Sequence, residues 1–261
     1  MGAAPPLKAV GNRLEPLRTR RNGILSRQKV LGSWDNSIRV RLAQIKEERM
    51  EKYNSQNLDA LFEGVAQIFA EKKEELCEMD ARMGDGDLGL TMEKGYGALP
   101  GILRENAVDG DVGMSLMKAG MKMASVVPST MGTLMSSGIM EGGKALKGQA
   151  ELGASQMSAY LSAFSQGLQK RGKCQPGDRT ILDAIDPAAK RAAAVCDMGA
   201  DLPQVINAAW EGAKEGVEAT KDMVPKFGKA AVHAAKAAGV PDQGAVAGLY
   251  MIEGLKRSID S

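Results

Sequence analysis

From Leu58 onward the apolar residues fall at Leu58, Leu61, Phe62, Val65, Ile68 and Phe69, the three- and four-residue spacing of one helix face. Further helical stretches follow at about 89–100, 111–126, 130–149, 154–171, 180–198, 202–222, 227–238 and 243–258, each limited by Gly, Pro or a Ser, Thr or Asp start signal. No segment of strand length alternates with period two. A chain patterned this way folds all-α, and short connections make successive helices antiparallel neighbours. Residues 50–261 are therefore expected to form an antiparallel barrel or bundle of about eight helices. Composition agrees, because aromatic residues are 4% of the chain against 31 Gly and 16 Met. Such a mixture suits closely approaching helices rather than sheets.

Residues 1–49 break the pattern. They carry eleven Lys and Arg against four Asp and Glu, which leaves 23 basic and 28 acidic residues in the remainder. The net charge of +2 thus conceals a basic extension on a mildly acidic domain. Pro5-Pro6, Arg20-Arg21 and the absence of an apolar period predict a disordered or partly helical extension, with Ser37–Glu51 as a candidate basic helix. Its charges read as a solvated tail; an Arg-rich transit peptide or nucleic-acid contact is the competing, less favoured reading. A secretory signal would need a continuous apolar core. No apolar run approaches the ~18 residues that cross a bilayer, so no membrane role is expected. Cys77, Cys174 and Cys196 are odd in number and lack metal-ligand spacing, which fits a reducing cytoplasmic setting.

Chemistry concentrates in Asp80-Ala-Arg-Met-Gly-Asp85-Gly-Asp87-Leu-Gly89. Three carboxylates this close repel one another unless they are solvated, cap helices or share a cation. Gly84, Gly86 and Gly89 allow the tight turns that bring carboxylates and backbone N–H groups to one point. Hard oxygen ligands on a loop select Mg²⁺ or Ca²⁺, and a Mg²⁺ that keeps waters and phosphates suits a metal-nucleotide site. On the residues alone, a capped helix start after a turn explains the loop equally well. Three further polar openings precede helices, at Pro128–Thr133, Gly172–Thr180 and Gly239–Ala245, where free N–H groups attract anions. If the helices alternate up and down, all four openings gather at one end. Two other strings are decoys. Gly138 to Lys144 has the frame of a phosphate loop, but Ala145 replaces the metal-binding hydroxyl and no strand precedes it; Asp109-Gly-Asp111 reads as a helix N-cap.

Taken in order, these segments resemble the ATP-binding L subunit of dihydroxyacetone kinases. The resemblance runs from about 54 to 257 and rests on Asp80 with Gly84-Asp85-Gly86-Asp87-x-Gly89, Ser129-Thr130, Gly172, Gly177–Asp183, Gly228-Lys229 and Asp242-Gln243-Gly244-Ala245. It implies an eight-helix antiparallel barrel in which Asp80, Asp85 and Asp87 hold two Mg²⁺ ions that bridge the phosphates of ATP or ADP. It also implies that Leu88, Gly89, Leu90 and Thr91 lie against the phosphates and that Ser129, Thr130, Gly172 and Ile181 surround the nucleoside. Lys229, Asp242, Gln243 and Gly244 would close over it. No residue is expected to form a covalent bond. Three departures stand out: Leu88 replaces the usual His, Val127-Pro128-Ser129-Thr130 replaces a glycine-rich turn, and Lys229 replaces Arg, keeping charge but losing the planar fork.

The implied function is a subunit that passes a phosphoryl group from Mg-ATP to dihydroxyacetone or a related short-chain ketose. In that family a separate K subunit holds the ketose through a histidine. The single histidine here, His233, does not match that nucleophile, so a K-subunit partner is implied. An alternative is the phosphotransferase-linked form, whose bound nucleotide is recharged by a phosphohistidine carrier. Another is a regulatory module that binds nucleotide without catalysis. A homodimer is compatible with each.

Overall fold

Most helices form where an apolar stripe predicts one, because burying that stripe is what stabilises them; the short helix Lys73–Ala81 has no such stripe and buries only Leu76 and Asp80. The computed structural model describes residues 52–232 and 237–261. The expected basic extension and His233 lie outside them, as does the side chain of Lys229. Helix α1 (Leu58–Glu71) breaks at Lys72 into a short α2 (Lys73–Ala81). Then follow α3 (Leu88–Glu105), α4 (Val112–Val126), α5 (Thr130–Ala145), α6 (Ala154–Gly172), α7 (Leu182–Asp197) and α8 (Leu202–Ala219). A 3-10 turn at Thr220–Asp222 and a one-turn α9 (Gly228–Val232) lead to α10 (Gln243–Asp260).

The long helices close a ring. Helix α1 packs on α3, α3 on α4, and so on through α8, which packs on α10, and α10 returns to α1. This is the all-α antiparallel barrel that the pattern predicts. Three local differences have physical causes. Helix α3 runs through Pro100, where the apolar stripe was expected to end, because Leu99 and Leu103 are buried on either side of it. That burial offsets the ~3 kcal/mol a proline costs inside a helix. Asp80, expected in a loop, sits in the last turn of α2. Tyr53–Asn54 (β1) pairs antiparallel with Glu151–Leu152 (β2), a ladder too short to show a period.

The ring closes where α1 crosses α10, and there the two backbones touch. Gly64 N–H donates to Ser258 Oγ at 2.9 Å. A methyl group on Gly64 would stand 2.4 Å from the Gly254 carbonyl oxygen, and one on Gly254 would stand 2.4 Å from Val65 Cα. Inside the ring Tyr96 stacks on Phe69 with centroids 5.0 Å apart and donates its hydroxyl to Met251 Sδ at 3.0 Å. Complete burial pushes its phenol well above the usual range, so it stays neutral. At the end of the ring that carries Asp80, the Tyr250 hydroxyl of α10 donates to Glu75 Oε1 of α2 at 2.5 Å, and Lys72 Nζ donates to Glu75 Oε2 at 2.7 Å. Lys72 and Tyr250 hold the Glu75 carboxyl below the usual range, against a modest opposing effect of burial.

Three outcomes follow from this packing. Gly254→Val should cost about 3 kcal/mol or more in urea unfolding, because backbone rather than a yielding side chain meets the new atoms. Gly97→Ala on the open face of α3, with nothing near its Cβ position, should instead stabilise by about 0.5–1 kcal/mol. Tyr250→Phe should cost about 1 kcal/mol at pH 7, a modest value because Glu75 is largely exposed. A lowered carboxyl pKa contributes stability above the unfolded value and loses it as pH falls through the folded one. The gap to wild type should therefore close below about pH 4; a gap independent of pH would contradict the pairing.

Candidate functional site

The acidic loop is organised by Asp80, which is 8% exposed. Its Oδ2 accepts the backbone N–H groups of Gly86 at 2.9 Å and Asp87 at 3.2 Å, and its carbonyl oxygen accepts those of Met83 and Gly84 at 3.0 and 2.5 Å. Gly86 takes φ +77°, the left-handed backbone that this tight return requires. A methyl group on Gly89 would stand 1.9 Å from the Lys73 carbonyl oxygen, so glycine there lets α3 start directly against α2. The result is that one carboxylate oxygen each from Asp80, Asp85 and Asp87 lies within 4.8 Å of the others, Asp80 buried and the other two exposed.

Asp87 occupies the N-cap position of α3, yet its side chain makes no capping hydrogen bond. Elsewhere such side chains do cap: Asp111 accepts from Met114 N–H, Ser129 from Gly132, Asp201 from Gln204 and Asp242 from Ala245. The capped-start explanation of the loop therefore fails for Asp87, while it holds for the Asp109-Gly-Asp111 string. The other decoy lies within α5, where Gly138 and Gly142 pack against Phe164 and Tyr160.

The four helix openings meet in one cleft of about 1120 Å³. Asp80, Asp85, Asp87, Leu88 and Thr91 line it from one side, Ser129 and Thr130 from another, and Gly172, Ile181, Asp242, Gln243 and Gly244 complete the wall. Two expected residues sit apart. Gly89 is buried against α2, and the Leu90 side chain is 54% exposed and does not line the cleft. Residues singled out by no sequence signal also line it, notably Met83, Leu134, Leu168, Arg171 and Phe227. They are ordinary apolar or surface positions of their own helices or, for Met83 and Phe227, of connecting segments, and only the closure of the ring turns them to one space. Cys174 lines it too, and burial pushes its thiol up, so it stays protonated.

The wall is fixed by charged side chains. Asp183 accepts the N–H groups of Gly177 at 2.5 Å and Thr180 at 2.7 Å, which folds the turn before α7. Asp178 pairs with Lys226 at 2.6 Å, tying this turn to the segment that supplies Phe227 and Gly228; the Lys226 ammonium and the Gln175 N–H hold its carboxyl low. Arg179, only 3% exposed, lines the cleft at φ +61° and donates from Nη2 to the Val240 carbonyl at 2.7 Å. Its Nε and Nη1 have no partner among the described residues. Asp242 is buried beside it; burial pushes its carboxyl up to about 6, the Ala245 N–H and Arg179 pull it down, and Asp183 opposes them.

These residues fit a divalent cation with an anionic ligand. Three hard oxygens converge, one from a carboxylate not consumed by capping, and a buried guanidinium nearby has two nitrogens with no partner among the described residues. Leaving such a donor unmade costs roughly 1–3 kcal/mol.

Comparisons with known proteins identify the family. Residues 82–257 match the DAK2 domain. Human triokinase/FMN cyclase is 30% identical over 207 residues, which are 79% of this chain and 36% of that protein. The L-erythrulose 1-kinase of Mycolicibacterium smegmatis is 30% identical over 206 residues, 77% of this chain and 35% of that protein. The ADP-binding subunit DhaL of the PEP-dependent dihydroxyacetone kinase of Escherichia coli is 27% identical over 186 residues, 71% of this chain and 88% of that one. The chain thus spans about a third of the length of the triokinase and erythrulose kinase relatives. In structure, the dihydroxyacetone kinase of C. freundii superposes with TM-score 0.58 at 24% identity, covering 77% of this chain and 34% of that one, and its complex with AMP-PNP and Mg²⁺ gives 0.57. That likeness carries the barrel fold. With the DAK2 match over 82–257, it leads to the conclusion that this chain belongs to the DAK2 domain family.

Proposed function

We propose that the chain is the nucleotide-binding half of a short-chain ketose kinase. The observation that carries this reading is the convergence of Asp80, Asp85 and Asp87 at the mouth of a cleft walled by four helix openings. Asp80, Asp85 and Asp87 would hold Mg²⁺, and Ser129, Thr130, Gly172, Ile181 and Gly244 would surround ATP or ADP. Mg²⁺ supplies charge neutralisation for the phosphates, which is the main demand of phosphoryl transfer. Around it the chain's own groups do the positioning. The N-terminus of α5 offers backbone N–H groups to an anion, and Ser129 stays on the Gly132 N–H. Arg179 balances negative charge from beneath the wall. Leu134, Leu168 and Phe227 keep water from one face of the cleft. Lys229 is the further cation that the family resemblance assigns to the cover.

Among the described residues no histidine lines the cleft, and the family resemblance has the acceptor presented by a separate K subunit. The relatives' names support phosphoryl transfer to small ketoses: a triokinase, two erythrulose kinases of Mycolicibacterium smegmatis and a dihydroxyacetone kinase subunit. One of them favours a second reading. DhaL of Escherichia coli is named an ADP-binding subunit of a PEP-dependent enzyme, and this chain covers 88% of it. In that form the nucleotide stays bound and a phosphohistidine carrier recharges it.

Two experiments follow. Asp85→Asn should weaken Mg-dependent AMP-PNP binding by more than about a hundredfold in calorimetry, with helicity unchanged, since it removes a ligand at an exposed loop position. Unchanged binding would sink the metal assignment. With the cognate K subunit, a ketose and Mg-ATP, one ADP released per turnover supports the free-exchange kinase. Retained nucleotide together with a requirement for a phosphohistidine donor supports the linked form. A chain that binds nucleotide but supports neither reaction would leave only a regulatory binding module.

A further inference from the structure

Gln243 opens α10 and reaches across to α2, a separation of 163 residues, where its Nε2 donates to Asp80 Oδ1 at 3.3 Å. Asp80 is then held on both sides. Its Oδ2 takes the loop amides of Gly86 and Asp87, and its Oδ1 takes the amide of Gln243. The sense of that amide follows from charge, because turning its carbonyl toward the carboxylate would set oxygen against oxygen. Oε1 therefore points away from Asp80. It is buried, and it has no hydrogen-bond partner among the described residues. Gln243 nonetheless lines the cleft. An acceptor placed beside a cation-binding carboxylate, with no protein donor, matches a polarised hydrogen donor carried by the ligand.

We infer that Gln243 is a positioning residue for the metal. Its Nε2 fixes the Asp80 carboxylate, and its Oε1 accepts a hydrogen bond from a water on the bound cation. This rests on the metal-nucleotide reading of the same site. Gln243 does not ligate the metal, and it touches neither phosphate nor acceptor. It acts through Asp80, and it couples filling of the acidic loop to the start of α10, whose neighbour Asp242 contributes to the cleft wall. The sequence pattern around Asp80 holds no sign of this link, since the two residues meet only when α10 closes the ring against α1 and α2.

The test uses the full chain, AMP-PNP and Mg²⁺, with Gln243→Leu and Gln243→Glu. Calorimetry would measure AMP-PNP binding across a Mg²⁺ series, and thermal melting would follow each variant without metal. Gln243→Leu should raise the Mg²⁺ concentration for half-maximal binding by about tenfold while leaving metal-free melting unchanged or higher, because an unpaired acceptor has gone. Gln243→Glu sets a second carboxylate against Asp80. It should lower the metal-free melting temperature at neutral pH and lower the Mg²⁺ requirement, so the two variants move in opposite directions. Mg²⁺ curves within twofold of wild type for both would overturn the inference while leaving the metal site intact. An equal loss of AMP-PNP affinity with and without Mg²⁺ in Gln243→Leu would also overturn it, by making Gln243 a direct nucleotide contact. A wild-type chain whose AMP-PNP binding ignores Mg²⁺ would remove the functional reading and this inference together.

Discussion

The arrangement depends on one carboxylate. Asp80 is the buried member of the acidic group, and its Oδ2 gathers the Gly86 and Asp87 amides so that three negative side chains face one another. Bringing three carboxylates this close is costly unless their charge is balanced, and the surrounding fold holds them there. Helix α2 holds Asp80 at its last turn, the Glu75–Tyr250 hydrogen bond fastens α2 to α10, and the crossing at Gly64 and Gly254 fastens α10 to α1. The stability of the closed ring is thus spent on holding an acidic loop open to a ligand.

Opposite charges line the cleft at different depths of its wall. The carboxylates stand at the mouth, two of them exposed, while Arg179 lies almost fully buried with two nitrogens that have no partner among the described residues. Arg179 is held at φ +61° by a turn that Asp183 stitches from inside and that the Asp178–Lys226 pair fastens outside. A residue kept in that backbone region at a cost, and left incompletely paired, marks a position shaped for binding rather than for stability alone. In the proposed role the catalytic demand on the site would be modest, since phosphoryl transfer asks for placement and charge more than for a nucleophile.

Much of the barrel is legible in the sequence, because a helix stripe such as Leu58 to Phe69 records burial locally. The helix ends are less so. Pro100 reads as a stop, but the burial of Leu99 and Leu103 across it is a tertiary effect. The acidic loop and the helix openings are legible for the same local reason, as Gly and Asp at fixed offsets encode turns and N-termini. What the sequence hides is which residues meet across the ring. The Asp80–Gln243 contact spans 163 positions, and Leu134 and Phe227 look like ordinary core or surface residues until the cleft forms between them. Spacing alone also left Asp87 as either a cap or a ligand, and only its missing capping bond separates the two.

The central claim is that the three carboxylates share a divalent cation brought together with a nucleotide. Mn²⁺ scatters anomalously and takes the same oxygen ligands as Mg²⁺, so crystals grown with Mn²⁺ and AMP-PNP test it directly. The account predicts anomalous density among Asp80, Asp85 and Asp87 with the triphosphate analogue in the adjoining cleft. Nucleotide bound in the cleft with no anomalous density at these aspartates would contradict it.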